Sequence, residues 1–306
     1  MSDGVPKARN LRYAVKTAQR PGLTRDLPYG PEDLQWVANS ATLVYGTNDA
    51  VLVDTFTSTG QNAELVEWVK SFDRNLTYVY ITHGHGDHFF GIKQLLEAFP
   101  TARAVGTTGT VAAAHAQGEP AFVDSFWGRL FPGEIPQPLA FPEVLSGDAF
   151  ELERHRMEVV EAGFTDTADT TALWVPDLRL MLAGDVAYND THQYTAESTS
   201  ESREQWARAA EKLATYDPVA VVAGHKKPDR PDNPEILSET AAYLRDFNRL
   251  DAETTTPEEL YAAMLELYPR RANPGSLWGG AKQAKSASLV GWTHGSGRQP
   301  HRPRQR

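Results

Sequence analysis

The chain has 306 residues with 41% hydrophobic and 23% charged content, enough for one large folded domain or two small ones, which excludes wholesale disorder. Its formal net charge of -10 disfavours a broad phosphate-binding surface, and no apolar run approaches bilayer length, so neither nucleic acid nor membrane is an expected partner. The absence of Cys removes disulfides, thiol nucleophiles and thiolate ligands, so any bound metal must be held by His, Asp or Glu.

Residues 1–30 are polar, interrupted by Pro and Gly, and lack a secretory apolar core, which predicts an N-terminal extension and a cytoplasmic protein. Strands are predicted at 41–45 and 50–53 around a Gly-Thr-Asn-Asp turn, followed by a helix over 63–72 with Leu65, Val66, Trp68, Val69 and Phe72 at helical spacing. A β-branched and aromatic strand at 76–82 and a helix at 90–99 flank a polar loop. After a short strand at 103–105, the segment 118–142 combines five prolines with Phe122, Phe126, Trp127, Phe131 and Phe141. It reads as a surface excursion packed on its own domain, with an apolar lid as the alternative.

Further strands are predicted at 149–152, 157–161, 171–175, 178–182 and 219–222. Ser202 with Gln205, and Thr256 with Pro257 and Glu259, read as capping-box starts of helices ending near 214 and 268. The main domain is expected over 31–290, with C-terminal helices over 233–285. The stretch 291–306, with Arg298, Arg302, Arg304 and Arg306, reads as a basic, solvated tail. Two strand groups with helices outside predict a four-layer α/β architecture.

The loop at 82–91 reads THGHGDHFFG and places His83, His85, Asp87 and His88 within six residues, in a chain with only nine His. Gly84 and Gly86 are expected to let the backbone turn tightly enough for these side chains to converge. Imidazoles suit zinc or iron, and the carboxylate suits a borderline or hard cation. Two later apolar strands end in Gly-Asp at Asp185 and in Gly-His at His225, each presenting a ligand immediately after the sheet.

On these residues, from about Asn39 to His225, the chain resembles the metallo-β-lactamase superfamily. The resemblance implies an α/β fold, a four-layer αββα sandwich with the metals at one edge, here with additional C-terminal helices. It implies one site at His83 and His85, a second at Asp87, His88 and His225, and Asp185 bridging them. The expected cofactor is zinc, one or two ions, with iron or manganese as alternatives. The implied chemistry is attack by metal-bound hydroxide on a small ester, lactone or thioester carbonyl, with Asp87 orienting the water or moving its proton. The absence of a Gly-x-Ser-x-Gly elbow and of a Walker loop fits that chemistry.

Tyr188, three residues after Asp185, resembles a tyrosine of acyl-homoserine lactonases that holds the substrate carbonyl; packing beside the loop is the alternative. Lys226 and Lys227 are candidates for binding a substrate carboxylate or phosphate, and Trp278 for lining the pocket or filling a helix interface.

The chain departs from the family at Phe164, which aligns with the third His usual at the first site; no His occurs between His155 and His192. Either Asp166 or Asp169 substitutes, or the first site is weak or empty, or hydrolysis is lost. The expectation is at least one tightly held ion at the second site and reduced affinity at the first. The leading function is hydrolysis of a small-molecule ester, lactone or thioester. The rivals are β-lactam hydrolysis, weakened by the lack of a secretory signal, and a non-hydrolytic binding or regulatory protein with a degraded binuclear site. A homodimer is compatible with the sequence.

Overall fold

The structure, a computed structural model, describes residues 11–20, 26–31 and 34–292. Eleven strands run in chain order as β1 (Arg12–Ala18), β2 (Asn39–Tyr45), β3 (Asp49–Val53), β4 (Asn75–Tyr80), β5 (Arg103–Gly106), β6 (Glu143–Val144), β7 (Ala149–Leu152), β8 (His155–Gly163), β9 (Thr170–Val175), β10 (Leu180–Asn189) and β11 (Ala220–Lys226). They form one mixed sheet in the order β6-β5-β4-β3-β2-β11-β10-β9-β8-β7, with β1 paired antiparallel to β2.

The sheet curls on itself, so its two halves face each other. Val44, Val51, Tyr80 and Val105 from one half meet Phe150, Met157, Leu173, Leu182 and Val222 from the other in a single buried cluster. Outside the first half, Leu65 and Val69 of helix Thr59–Lys70 and Leu95 of helix Ile92–Ala98 cover Leu43, Leu52 and Val79. Outside the second, Ala210 and Leu213 of helix Ser200–Ala214 and Leu237 of helix Ile236–Glu253 cover Met181, Ala183 and Val221. Helix, half-sheet, half-sheet, helix is the four-layer arrangement expected from the sequence. Because both faces of the central strands are buried, Ala50–Val53 of β3 and Leu180–Ala183 of β10 read as continuous apolar runs rather than alternating ones. Truncating Leu43, fully buried between β2 and the outer helices, removes roughly 2–5 kcal/mol of stability.

Helices Pro257–Leu267 and Pro274–Trp292 pack on the end of Ile236–Glu253 through Tyr243, Phe247, Leu260, Tyr261 and Trp278. The predicted capping box at Thr256 and Glu259 starts the first of these. Trp278 fills this interface and is not part of the cavity described below.

Several local expectations change. Residues 12–18, read as extension, form β1, an edge strand whose half-buried pattern carries no strong alternation. The first helix begins at Thr59, four residues early, because Ser58 and Gln61 form a capping box. The box of helix Ser200–Ala214 is built on Thr199, and Ser202 is its third helical residue rather than its cap. In the 118–142 segment, helical turns carry Trp127 and Phe131 into the core against Phe90 and Trp36, while Phe122 stays 37% exposed. The segment is therefore anchored from inside and open outside. The tail beyond Trp292 lies outside the described residues.

The halves of the sheet are joined between β2 and β11, where, among the described residues, the only register pair is His225 opposite Asn39. That seam is where the polar residues converge.

Candidate metal centre

All six ligand candidates and Asp166 lie together at one edge of the sheet, after β4, after β8 and within β10 and β11. Three groups of side chains each bring their ligand atoms within 4.8 Å of one another: His83, His85 and Asp166; Asp87, His88 and His225; and His83, His88 and Asp185. Every one of these residues is buried.

The motif after β4 is not all loop, since Gly86–Phe89 forms one helical turn preceded by His85. Neither Gly84 nor Gly86 has a positive φ. Their role is space: a Cβ on Gly84 would lie 2.3 Å from the Cβ of Ala113. Asp185 and His225 sit inside β10 and β11 rather than after them, at irregular register between Gly184 and Tyr188. Gly224 makes this possible, because a Cβ there would lie 2.1 Å from Asp185 Oδ1.

The imidazoles are oriented from behind. His83 Nδ1 lies 3.0 Å from Thr82 Oγ1, and His88 Nδ1 lies 3.1 Å from Asp54 Oδ2. This leaves His83 Nε2 and His88 Nε2 facing inward, buried and without a hydrogen-bond partner, as is Asp185 Oδ1. Buried polar atoms are nearly always satisfied, and three unpartnered ones aimed at one point fit the donor set of a divalent cation. Asp185 Oδ1 is 3.4 Å from His88 Nε2 and its Oδ2 is 3.1 Å from His225 Nε2, both in the second group, and its carboxylate also clusters with His83 of the first.

Asp166 settles which of two carboxylates turns inward. Thr165 Oγ1 donates to its Oδ1 at 2.8 Å, while its Oδ2 lies 2.8 Å from His85 Nδ1 and 3.7 Å from His83 Nε2. Asp169 instead takes a left-handed φ of 55° and is exposed beside Gly109. Phe164 is half-buried and does not line the cavity. The place expected to lack a ligand thus holds a buried carboxylate two residues further on.

Charge in the cluster is strongly coupled. Burial opposes ionisation of Asp87 and Asp185, but His88 and His225 outweigh it and hold both carboxyls below the usual range. Burial likewise opposes the charged form of His88, yet Asp185, Asp87 and Asp54 push it up to about 10. His83, with burial and the neighbouring His88 acting together, is lowered. Imidazoles and carboxylates crowded at one buried point are what a divalent cation between them would hold together.

Four supporting residues were not read from the sequence. Asp54, at the end of β3 with φ 62°, accepts from Thr82 N and Oγ1 at 2.8 Å each and faces His88. The rule that singled out Asp185, a carboxylate ending an apolar strand, also finds Asp54. Asn39 Nδ2 donates to Asp87 Oδ2 at 3.0 Å, and Trp36 Nε1 does so at 3.4 Å. Glu197 Oε1 lies 3.1 Å from His85 Nε2. The last three carry no local signal.

Tyr188 is buried, and its hydroxyl donates to Asp185 Oδ2 at 2.7 Å. A phenol has one proton to give, so in this arrangement Tyr188 orients Asp185 and has none for a substrate carbonyl. Lys226 is buried in an ion pair with Asp232, and Lys227 faces Asp190 at 3.6 Å; neither lines the cavity over the centre. That cavity, of about 210 Å³, is walled by Trp36, Val37, Phe122, Phe126, Trp127 and Tyr194, with the cluster as its floor.

The chain belongs to the metallo-beta-lactamase superfamily, whose model matches residues 34–225. Solved structures of similar fold include a metallo-beta-lactamase family protein from Thermus thermophilus, at 20% identity and TM-score 0.60, covering 90% of this chain and 94% of that one. A metallo-beta-lactamase from Pontibacter korlensis matches at 18% identity and TM-score 0.55, over 74% of this chain and 100% of its own. The DIM-1 metallo-beta-lactamase exposed to ceftazidime matches at 20% identity and TM-score 0.56, over 80% and 99% respectively. No curated protein matches this chain. No helix among the described residues is long and apolar enough to cross a membrane.

Proposed function

We propose that the chain is a metal-dependent hydrolase of a small ester, lactone or thioester, with two divalent cations held by equivalent ligand sets. Superfamily membership supports the metal-dependent hydrolase class. The observation that carries the binuclear reading is Asp166, whose buried carboxylate completes a set with His83 and His85. Asp87, His88 and His225 make the other set, and Asp185 lies between them. Zinc suits this mixture of imidazole and carboxylate, as do iron and manganese.

When bound, such cations acidify a water and polarise a carbonyl. The chain's own residues do the rest. Asn39 and Trp36 fix the carboxylate of Asp87, which stays ionised and faces the cavity as acceptor for a proton of the attacking water. Tyr188 keeps Asp185 oriented. The aromatic wall excludes bulk water from the reacting carbonyl and holds the acyl portion against the floor.

Metal quantification of purified protein, coupled to a hydrolysis panel of lactones, thioesters, aryl esters, β-lactams and phosphodiesters, tests the reading. Turnover of carbonyl esters that falls with chelation and returns with metal is expected. Metal-loaded protein inactive on the whole panel would overturn it in favour of a binding role.

A further inference from the structure

The cavity joins two features that no ligand set requires. One wall is aromatic, with Phe122 stacked on Phe126 at 5.5 Å, Phe126 against Trp127 at 5.1 Å, and Trp127 against Trp36 at 6.0 Å between ring centres. The inner rings are held from behind. Trp127 Nε1 donates to Gln117 at 2.9 Å, and Phe131 behind them lies under Arg20, which is itself bonded to Glu134 at 3.0 Å. Phe122 is exposed and Phe126 and Trp36 are partly so, forming an apolar shelf that leads from solvent to the floor.

The other feature is charge. The ionisable lining residues are Asp87, Asp166, Asp185, Glu197, Tyr188, Tyr194, His85 and His225, and among the described residues no Lys or Arg lines the cavity. Two divalent cations would bring four positive charges, which the buried carboxylates of Asp54, Asp87, Asp166 and Asp185 match one for one. An imidazole in place of Asp166 would leave the centre one unit more positive. Glu197, with its side chain 40% exposed, puts its negative charge at the rim beside His85. An anionic substrate therefore meets no counter-charge on the wall and a repelling carboxylate at the mouth.

We propose that the site selects carbonyl substrates whose acyl arm is apolar and uncharged, lying along Phe126 and Trp127, and rejects those whose arm carries a carboxylate, with Glu197 as the discriminating residue. This rests on the hydrolytic reading for its substrate class and on the cavity walls for its selectivity. It sets this chain against β-lactams, which bear a carboxylate.

The test uses ligands of matched length: an aryl hexanoate and the aryl half-ester of adipic acid as substrates, and the corresponding anilides as non-hydrolysed ligands. Binding of the anilides is read by quenching of tryptophan fluorescence, since Trp36 and Trp127 line the cavity. The uncharged member is expected to be favoured at least about tenfold in both kcat/KM and Kd, with affinity rising roughly threefold to fourfold per added methylene. Glu197→Gln should narrow the charged-to-uncharged ratio about threefold to tenfold, a ratio in which any disturbance of His85 cancels. Phe126→Ala should flatten the dependence on arm length. Equal binding of the two anilides by the intact protein would overturn the proposal, as would a ratio unchanged in Glu197→Gln. If neither ester is hydrolysed while the anilides still bind unequally, the hydrolytic reading fails and the selectivity stands. If both esters turn over alike and the anilides bind alike, hydrolysis stands and the selectivity fails.

Discussion

In the half of the proposed centre that contains Asp87, His88 and His225, the candidate ligands come from one helical turn and one strand and are braced by the adjoining strands, with Asp54 behind His88 and Asn39 behind Asp87. The half that contains His83, His85 and Asp166 draws its third candidate ligand from the connection between β8 and β9, where the hydroxyl of Thr165 donates to the carboxylate. Where strands fix the geometry, the residue supplying each ligand is determined by its position. Where a connection supplies the ligand, a neighbour can reach the same point, and Phe164 in place of the usual His leaves a set of three donors intact.

Asp185 breaks the comparison most severely, because it lies between both halves. Asp185→Ala is expected to remove both ions and lower turnover on the order of 10³-fold. Metal content and kcat measured on the same preparation check this; a single retained ion would show that the halves do not share this residue.

Substitutions behind the ligands sharpen it. Asn39→Ala should weaken one ion and Thr165→Val the other, each roughly 10–100-fold. Competition with a chromophoric chelator resolves two steps, and each variant should shift a different one.

The smallest effect lies away from both halves and serves as a control. His192 is buried against Tyr243, and burial together with the charge of Arg271 lowers its pKa from 6.5 to about 3. A depressed imidazole favours the folded state above the unfolded pKa, so this stability is lost as pH falls from about 6.5 towards 3. By pH 5 the loss is about 2 kcal/mol. Urea unfolding at pH 7 and pH 5 should show that difference in the native chain and a smaller one in His192→Gln.

The fold was legible because buried strands leave uninterrupted apolar runs, and because Asp185 and His225 terminate two of them. Strand β1 was not legible: as a half-buried edge strand between Pro- and Gly-containing stretches it carries neither a run nor an alternation. Asp166 and Asp169 were indistinguishable locally, since both are turn formers beside Thr. Only the left-handed turn at Asp169 and the bond from Thr165 decide which one points inward. Trp36 and Asn39 reach Asp87 from some 50 positions away, a proximity created by the seam between β2 and β11.

Asp166 stands where the first site was expected to lack a ligand. The direct measurement is metal content after dialysis in the native chain, Asp166→Ala and Phe164→Ala. About two equivalents in the native chain and in Phe164→Ala, with about one in Asp166→Ala, is the predicted result. Two equivalents retained by Asp166→Ala, or only one held by the native chain, would contradict it.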